Sequence, residues 1–346
     1  MTGFDSPGDS YHFTLMDLPI GELFVLGFRD PQTPGWLHDF ANTFGLGGTI
    51  LFDYDCIDQK YERNVYSPAQ LEKLCESLHS LPSRPLVFID QEGGKVRRLK
   101  EERGFIPLPS AHRFGLLTAS ERRAVLRASY TQMRQIGIDV NLSPVVDLDV
   151  NPKSPDVGAV QRSYSSDPKV VAACVEALAE VAGSVSLKLC LKHFPGTGGA
   201  KVNPHDHVMD LSDCLTNAQV DVFRDMIARV PMVLFSHGIV NQWEKDTPVC
   251  LSAVAVDKMR SWAPDACILT DDLQMQGVQK LMSTGEACTK AVRAGVDLLL
   301  IGNNIKDEQE QAADFARQLC SACNRDASMR AHAEASIRRT RKLKFG

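Results

Sequence analysis

Between Lys192 and His207 the chain brings together lysine, histidine, aspartate and glycine. It reads Lys192-His193-Phe194-Pro195-Gly196, then a Gly-rich stretch to Asn203-Pro204-His205-Asp206-His207. The segment starts where the apolar run 185–191 ends. Short connections rarely need so many donors and acceptors, so this is a working loop. Imidazoles beside carboxylates do proton transfer or hold metals, and a lysine holds anionic or hydroxyl groups. Five more such groups follow strand-like runs. Asp90 precedes Gln91-Glu92-Gly93-Gly94-Lys95-Val96-Arg97-Arg98; Asp147 and Asp149 precede Gln161-Arg162-Ser163. Ser236-His237, Thr270-Asp271-Asp272 and Gly302-Asn303-Asn304 complete the set.

The elements that position these groups alternate. Strand candidates are 23–28, 48–52, 85–90, 140–146, 185–191, 232–237, 267–271 and 296–301. They are short, rich in Val, Ile and Leu, and continuous rather than alternating, as expected of parallel strands buried on both faces. Helical patterns separate them. Ser67-Pro68-Ala69-Gln70, Thr118-Ala119-Ser120-Glu121 and Thr216-Asn217-Ala218-Gln219 are capping signals, Asp167-Pro168 opens another helix, and Gly137 ends one. Eight β–α units predict an α/β protein, a single-domain (β/α)8 TIM-type barrel over 21–346 behind an N-terminal extension, 1–20; a doubly wound sheet is the alternative. Barrel active sites lie at the carboxyl ends of the strands, so the groups above are expected around one mouth. A ring of carboxylates, cations, amides and imidazoles suits a small ligand with many hydroxyls, a sugar above all.

Plainer roles compete. Asp90 could cap the next helix, and Arg162 could staple its loop to Asp147 or Asp149. Asp271 and Asp272 could cap a helix through Met275 and Val278, and strand alternation lets only one of them face the pocket. Trp243 is read as surface packing before sugar stacking, and Cys320 and Cys323 as a helical pair.

Composition narrows the partners. The 346 residues are 44% hydrophobic and 23% charged, with net charge −5. Neither nucleic acid nor an anionic membrane is an expected partner. No apolar run reaches the roughly 18 residues that span a bilayer, and no leader is read at the N-terminus. Ten scattered cysteines suggest reduced, buried thiols and a cytoplasmic location. The basic run Arg338-Arg339-Thr340-Arg341-Lys342 reads as the cationic end of a last helix.

Four motifs in order carry a resemblance: Asp90-Gln91-Glu92-Gly93-Gly94-Lys95-Val96, Asn141-Leu142-Ser143-Pro144-Val145-Val146-Asp147, Lys192-His193-Phe194-Pro195-Gly196 and Thr270-Asp271-Asp272-Leu273-Gln274-Met275. Together, from about Leu23 to Asn304, the chain resembles bacterial β-N-acetylglucosaminidases of glycoside hydrolase family 3, in the single-domain hexosaminidase branch. The resemblance implies retaining hydrolysis of terminal β-linked N-acetylglucosamine, with Asp271 as nucleophile and no cofactor or metal. Asp90, Arg98, Arg162, Lys192 and His193 fall where the family holds the sugar hydroxyls. The acid/base histidine matches His205. Its partner aspartate, two residues earlier, is here Asn203, while Thr197 and Gly199 replace the family's usual histidine and aspartate. Asp206 is an alternative charged partner for His205.

The expected partner is a small carbohydrate, a GlcNAc-terminated oligosaccharide or muropeptide. Asn203 keeps open a phosphorylase, a transglycosylase or a sugar-binding pseudoenzyme. A third reading takes His205, His207, His237 and Asp271 as metal ligands of a barrel hydrolase, although such enzymes place their paired histidines after the first strand.

Overall fold

The computed structural model describes residues 18–203 and 206–345. Eight parallel strands carry the fold: β1 Phe24–Gly27, β2 Gly48–Leu51, β3 Leu86–Ile89, β4 Val140–Asn141, β5 Lys188–Phe194, β6 Met232–Phe235, β7 Cys267–Thr270 and β8 Leu299–Ile301. Their order is β7-β6-β5-β4-β3-β2-β1-β8. A parallel bridge, Leu269 to Leu298, joins the two edges of this sheet. The result is the barrel type that the alternation of strands and helices predicts, and the open sheet is not formed.

Alternation within each strand builds two apolar layers. Val25, Phe88 and Leu234 point into the barrel with Ile50, Cys190 and Leu300. Their neighbours Phe24, Leu26, Val87, Ile89, Val233 and Phe235 pack outward under the helices. Capping fixes where those helices begin. Ser67 accepts from Gln70 N, and Thr118 and Thr216 form full capping boxes with Glu121 and Gln219. Gly137 closes its helix with φ of 102°.

The largest differences from the sequence reading are in β4 and β5. β4 has two residues rather than seven, because Pro144 lacks the N–H a ladder needs; pairing resumes as the single bridge Val145 to Lys192. β5 starts three residues late, since the helix Pro168–Ser184 runs past Gly183 and Ser186 turns with φ of 58°. β5 then extends to Phe194, which carries Lys192 and His193 on the strand itself.

The last helix, Ala327–Phe345, seals the amino end of the barrel. Its basic run is spent on carboxylates: Arg339 on Asp297 at 3.0 Å, Arg341 on Glu22 at 2.8 Å and Lys342 on Asp265 at 2.8 Å. Among the described residues no helix is long and apolar enough to cross a membrane.

Candidate active site

Asp90 follows the last residue of β3 and does not cap a helix. A short hairpin, Gln91–Gly93 with Val96–Arg97, comes next. Gln91 anchors it, its side-chain oxygen accepting from Arg98 N and Leu99 N at 2.9 Å each. Asn141 at the tip of β4 bonds Gln91 N and O, at 2.9 Å both. Gly93 turns with φ of 99°, where an added Cβ would lie 2.1 Å from Pro109 O, so only glycine fits. This frame sends Asp90, Glu92 and Arg98 toward Lys192.

There the charges alternate in sign. Lys192 Nζ donates to Asp90 Oδ1 at 2.8 Å and meets Glu92 Oε1 at 2.6 Å. Arg162 forks onto both oxygens of Glu92 at 2.8 Å and reaches Asp156 at 2.8 Å. Arg98 pairs with Asp90 at 3.3 Å, and Lys100 with Asp53 at 2.7 Å. Burial alone would raise the Asp90 carboxyl, but Lys192 and Arg98 outweigh it and hold it well below the carboxylate range. Glu92 is likewise opposed by burial, yet Arg162 and Lys192 bring it to about 2. Ions already fixed in place need no rearrangement when hydroxyls arrive.

His193 joins this network through both ring nitrogens. Arg162 Nη2 donates to Nε2 at 3.0 Å, and a guanidinium only donates. Nδ1 therefore carries the proton and gives it to Asp147 Oδ2 at 2.7 Å. Asp147 also accepts from His193 N at 3.2 Å and Thr197 N at 2.6 Å, which starts the loop after β5. The Lys192–His193 and Phe194–Pro195 peptides are cis.

On the opposite wall, Asp271 follows β7. Its backbone N donates to Phe235 O at 3.0 Å, and Asp272 N donates to its Oδ1 at 2.8 Å. Asp272 Oδ1 accepts from Gln274 N at 3.0 Å and Gly302 N at 3.2 Å. Burial pushes the Asp272 carboxyl up to about 7.

A cavity of about 290 Å³ lies between these walls, lined by Asp90, Glu92, Arg98, Arg162, Lys192 and His193 facing Asp271, Asp272 and Asn304. Its floor is Ile50, Leu142, Leu234 and Leu300 from the barrel interior. The volume sits at the small end of the roughly 300–1,000 Å³ of ligand pockets, a fit for one sugar ring. A larger groove of about 870 Å³ at the amino ends of the strands is lined by Trp262, Pro264 and Leu343. It has no comparable ring of ions, and barrel chemistry occurs at the other end.

Several expectations need correction. Arg162 pairs with Glu92 and Asp156, not with Asp147 or Asp149, because Asp147 is taken by His193. Both Asp271 and Asp272 line the cavity, since β7 ends at Thr270 and strict alternation ends with it. They do not cap the next helix; Gln276–Gln279 begins after Met275. Trp243 packs on Phe194 with ring centroids 5.7 Å apart, under Lys258, as read.

The acid/base candidate His205 lies outside the described residues. The Asn203 carbonyl accepts from Asp206 N at 3.1 Å and His207 N at 3.0 Å. Lys280 Nζ donates to the Asp206 carbonyl at 2.6 Å, and Asp206 itself is exposed. Among the described residues no cluster of His, Cys, Asp or Glu is arranged to hold a metal. Sequence reasoning gave Glu92 no role, took Asp147 only as a staple for Arg162 rather than as the partner of His193, and missed Asp156. Glu92 and Asp147 stand inside the quoted motifs, whereas nothing local marks Asp156 as a partner of Arg162.

Known proteins share this architecture. Residues 28–340 match the glycosyl hydrolase family 3 N terminal domain. A beta-hexosaminidase of Nitrosomonas eutropha is 31% identical over 272 residues, 75% of this chain and 74% of that protein. One from Nitrosospira multiformis is 30% identical over 274 residues, with the same coverage. A glycoside hydrolase family 3 beta-N-acetylglucosaminidase from a Paenibacillus species superposes with TM-score 0.82 at 26% identity; the match covers 94% of this chain and 61% of that one. The beta-N-acetylhexosaminidase of Beutenbergia cavernae, at 24% identity, shares the fold with TM-score 0.81 over 94% of this chain and 97% of its own. The chain belongs to glycosyl hydrolase family 3 and is a glycoside hydrolase built on that family's N-terminal barrel domain.

Proposed function

We propose that the chain is a retaining exo-β-N-acetylglucosaminidase, a β-N-acetylhexosaminidase that removes terminal β-linked N-acetylglucosamine. The observation that carries this is the one-ring cavity with a carboxylate, Asp271, facing an ionised cradle, in a chain whose relatives at about 30% identity are named beta-hexosaminidases. Asp90, Arg98, Arg162, Lys192 and His193 hold the sugar hydroxyls. Asp271 attacks the anomeric carbon, the glycosidic bond breaks, and the leaving oxygen takes a proton from His205. Water, deprotonated by the same histidine, then cleaves the glycosyl–aspartate ester and restores Asp271. An asparagine oxygen at 203 can accept the ring N–H of the acid/base histidine, but it supplies no charge.

The substrate is a small carbohydrate, and the leaving group that the family likeness favours is a muropeptide fragment. Comparison of anhydromuramyl and chitobiose substrates discriminates that aglycone from a chitin fragment. Asp271→Ala is expected to abolish release of nitrophenol from the aryl β-N-acetylglucosaminide while melting like the parent. Retained turnover refutes the assignment. Asn203 favours one second reading, phosphorolysis or transfer to an anionic acceptor that tolerates an uncharged partner. A clear rate increase with added phosphate distinguishes it.

A further inference from the structure

Behind Asp271 lies a set of contacts that the reaction scheme above does not use. His237 follows β6, is fully buried and does not line the cavity. Its Nε2 lies 2.8 Å from the main-chain oxygen of Asp272. A carbonyl only accepts, so Nε2 carries the proton. Its Nδ1 lies 3.2 Å from Sγ of Cys250, which is also fully buried. Burial raises the Cys250 thiol well above its usual range, so the sulfur keeps its proton as donor.

We propose that Cys250 and His237 form a positioning relay for the attacking carboxylate: the thiol donates to Nδ1, Nε2–H donates to the Asp272 carbonyl, and the Asp272 N–H holds Asp271 Oδ1. This rests on the hydrolase reading and adds positioning residues to it. Every bond in the chain fixes Asp272. Its carbonyl is held by His237, its carboxylate by Gln274 N and Gly302 N, and its own N–H then has one direction left, toward Asp271. Releasing the carbonyl lets the 271–272 segment turn, and the carboxylate turns with it. The groups that hold the sugar, Asp90, Arg98, Arg162, Lys192 and His193, lie on or after β3 to β5, and none of their hydrogen bonds described above reaches the relay. The relay therefore sets kcat rather than KM.

The test compares variants that keep one donor with variants that lose it. In His237→Gln the amide nitrogen falls near the position of Nε2 and still reaches the carbonyl; in His237→Asn it does not. Cys250→Ser keeps a donor, and Cys250→Val keeps the volume only. With nitrophenyl β-N-acetylglucosaminide, His237→Asn is expected to lower kcat about 100-fold, the cost of roughly 1 Å of misplacement, with KM within about 2-fold. His237→Gln and Cys250→Ser are expected to recover most of kcat, and Cys250→Val to fall below Cys250→Ser. Equal losses in His237→Gln and His237→Asn, or losses carried by KM, overturn the relay. Nitrogen-15 imidazole shifts read the same relay without substrate. A proton on Nε2, with the Nδ1 shift altered in Cys250→Val, supports it, and a proton on Nδ1 overturns it. A parent chain inert toward every glycoside but showing the Nε2 proton keeps the relay and overturns the hydrolase reading alone.

Discussion

Asn203 is one of three positions, with Thr197 and Gly199, at which the loop after β5 departs from the pattern that the family resemblance implies. For the proposed acid/base role of His205, a carboxylate at position 203 fixes the imidazole's tautomer and stabilises its imidazolium form; an amide does only the first. Asn203→Asp is therefore expected to raise kcat on aryl glycosides, with an upper bound of about 10⁴ taken from the analogous serine-protease change. An unchanged or lower kcat shows that another group, Asp206 first, already supplies the charge. Asp272 gives a second prediction at this scale. Burial raises its carboxyl to about 7 against roughly 3.9 in the unfolded chain, so the folded state keeps a proton the unfolded chain releases. That stability is complete below about pH 4 and is lost as the pH rises to 7. Asp90 and Glu92, depressed by their cations, act in the opposite sense: their contribution stands above about pH 4 and is lost as the pH falls through their folded values. Asp272→Asn should thus flatten the decline of Tm between pH 5 and 8. An unaltered slope in a series of melts contradicts the elevated value.

The elements were legible where a local signal fixed them. Ser67, Thr118 and Thr216 announced helix starts because a cap is a contact across three residues; Thr118 and Thr216 close full capping boxes, whereas at Ser67 the Gln70 side chain accepts from Tyr66 N and only the serine half forms. Strand faces followed from continuous apolar runs. β4 was misjudged because Val145 and Val146 look like strand while Pro144 interrupts the ladder. Asp156 was illegible for a related reason: it meets Arg162 six residues away in a loop of no fixed period, so no spacing rule reaches it. Asp297, just before β8, shows what such contacts do for an element. Its oxygens accept from Ile268 N at 2.7 Å, Ser336 Oγ at 2.9 Å and Arg339 at 3.0 Å, and they also pair with Arg260. Two cations from two helices thus converge on one buried carboxylate. Asp297→Ala leaves them without it and is expected to cost about 3–5 kcal/mol, read as a lower midpoint in urea. A loss under 1 kcal/mol denies the staple.

Across the whole molecule the barrel divides its labour between its two ends. The carboxyl end carries the ionised cradle and Asp271. The amino end is closed by the last helix, whose Leu343 joins Cys190, Met232 and Cys267 in the barrel's inner apolar layer. The same helix reaches back to the chain's early residues, with Arg341 forking onto Glu22 at 2.9 and 2.8 Å. Closure and chemistry are thereby separated by the full layer of side chains that fills the barrel, among them Val25, Phe88 and Leu269. Close-packed interiors transmit a volume change to immediate neighbours first. Leu343→Ala empties the plug without touching any group that lines the cavity, so it should lower stability by about 2–4 kcal/mol. At 25 °C, where the variant stays folded, kcat and KM should both remain within about 2-fold of the parent. A variant that melts early yet turns over normally shows two ends working independently. A KM that climbs with the lost stability shows that the strands carry strain from the plug to the sugar site, and the division is then false.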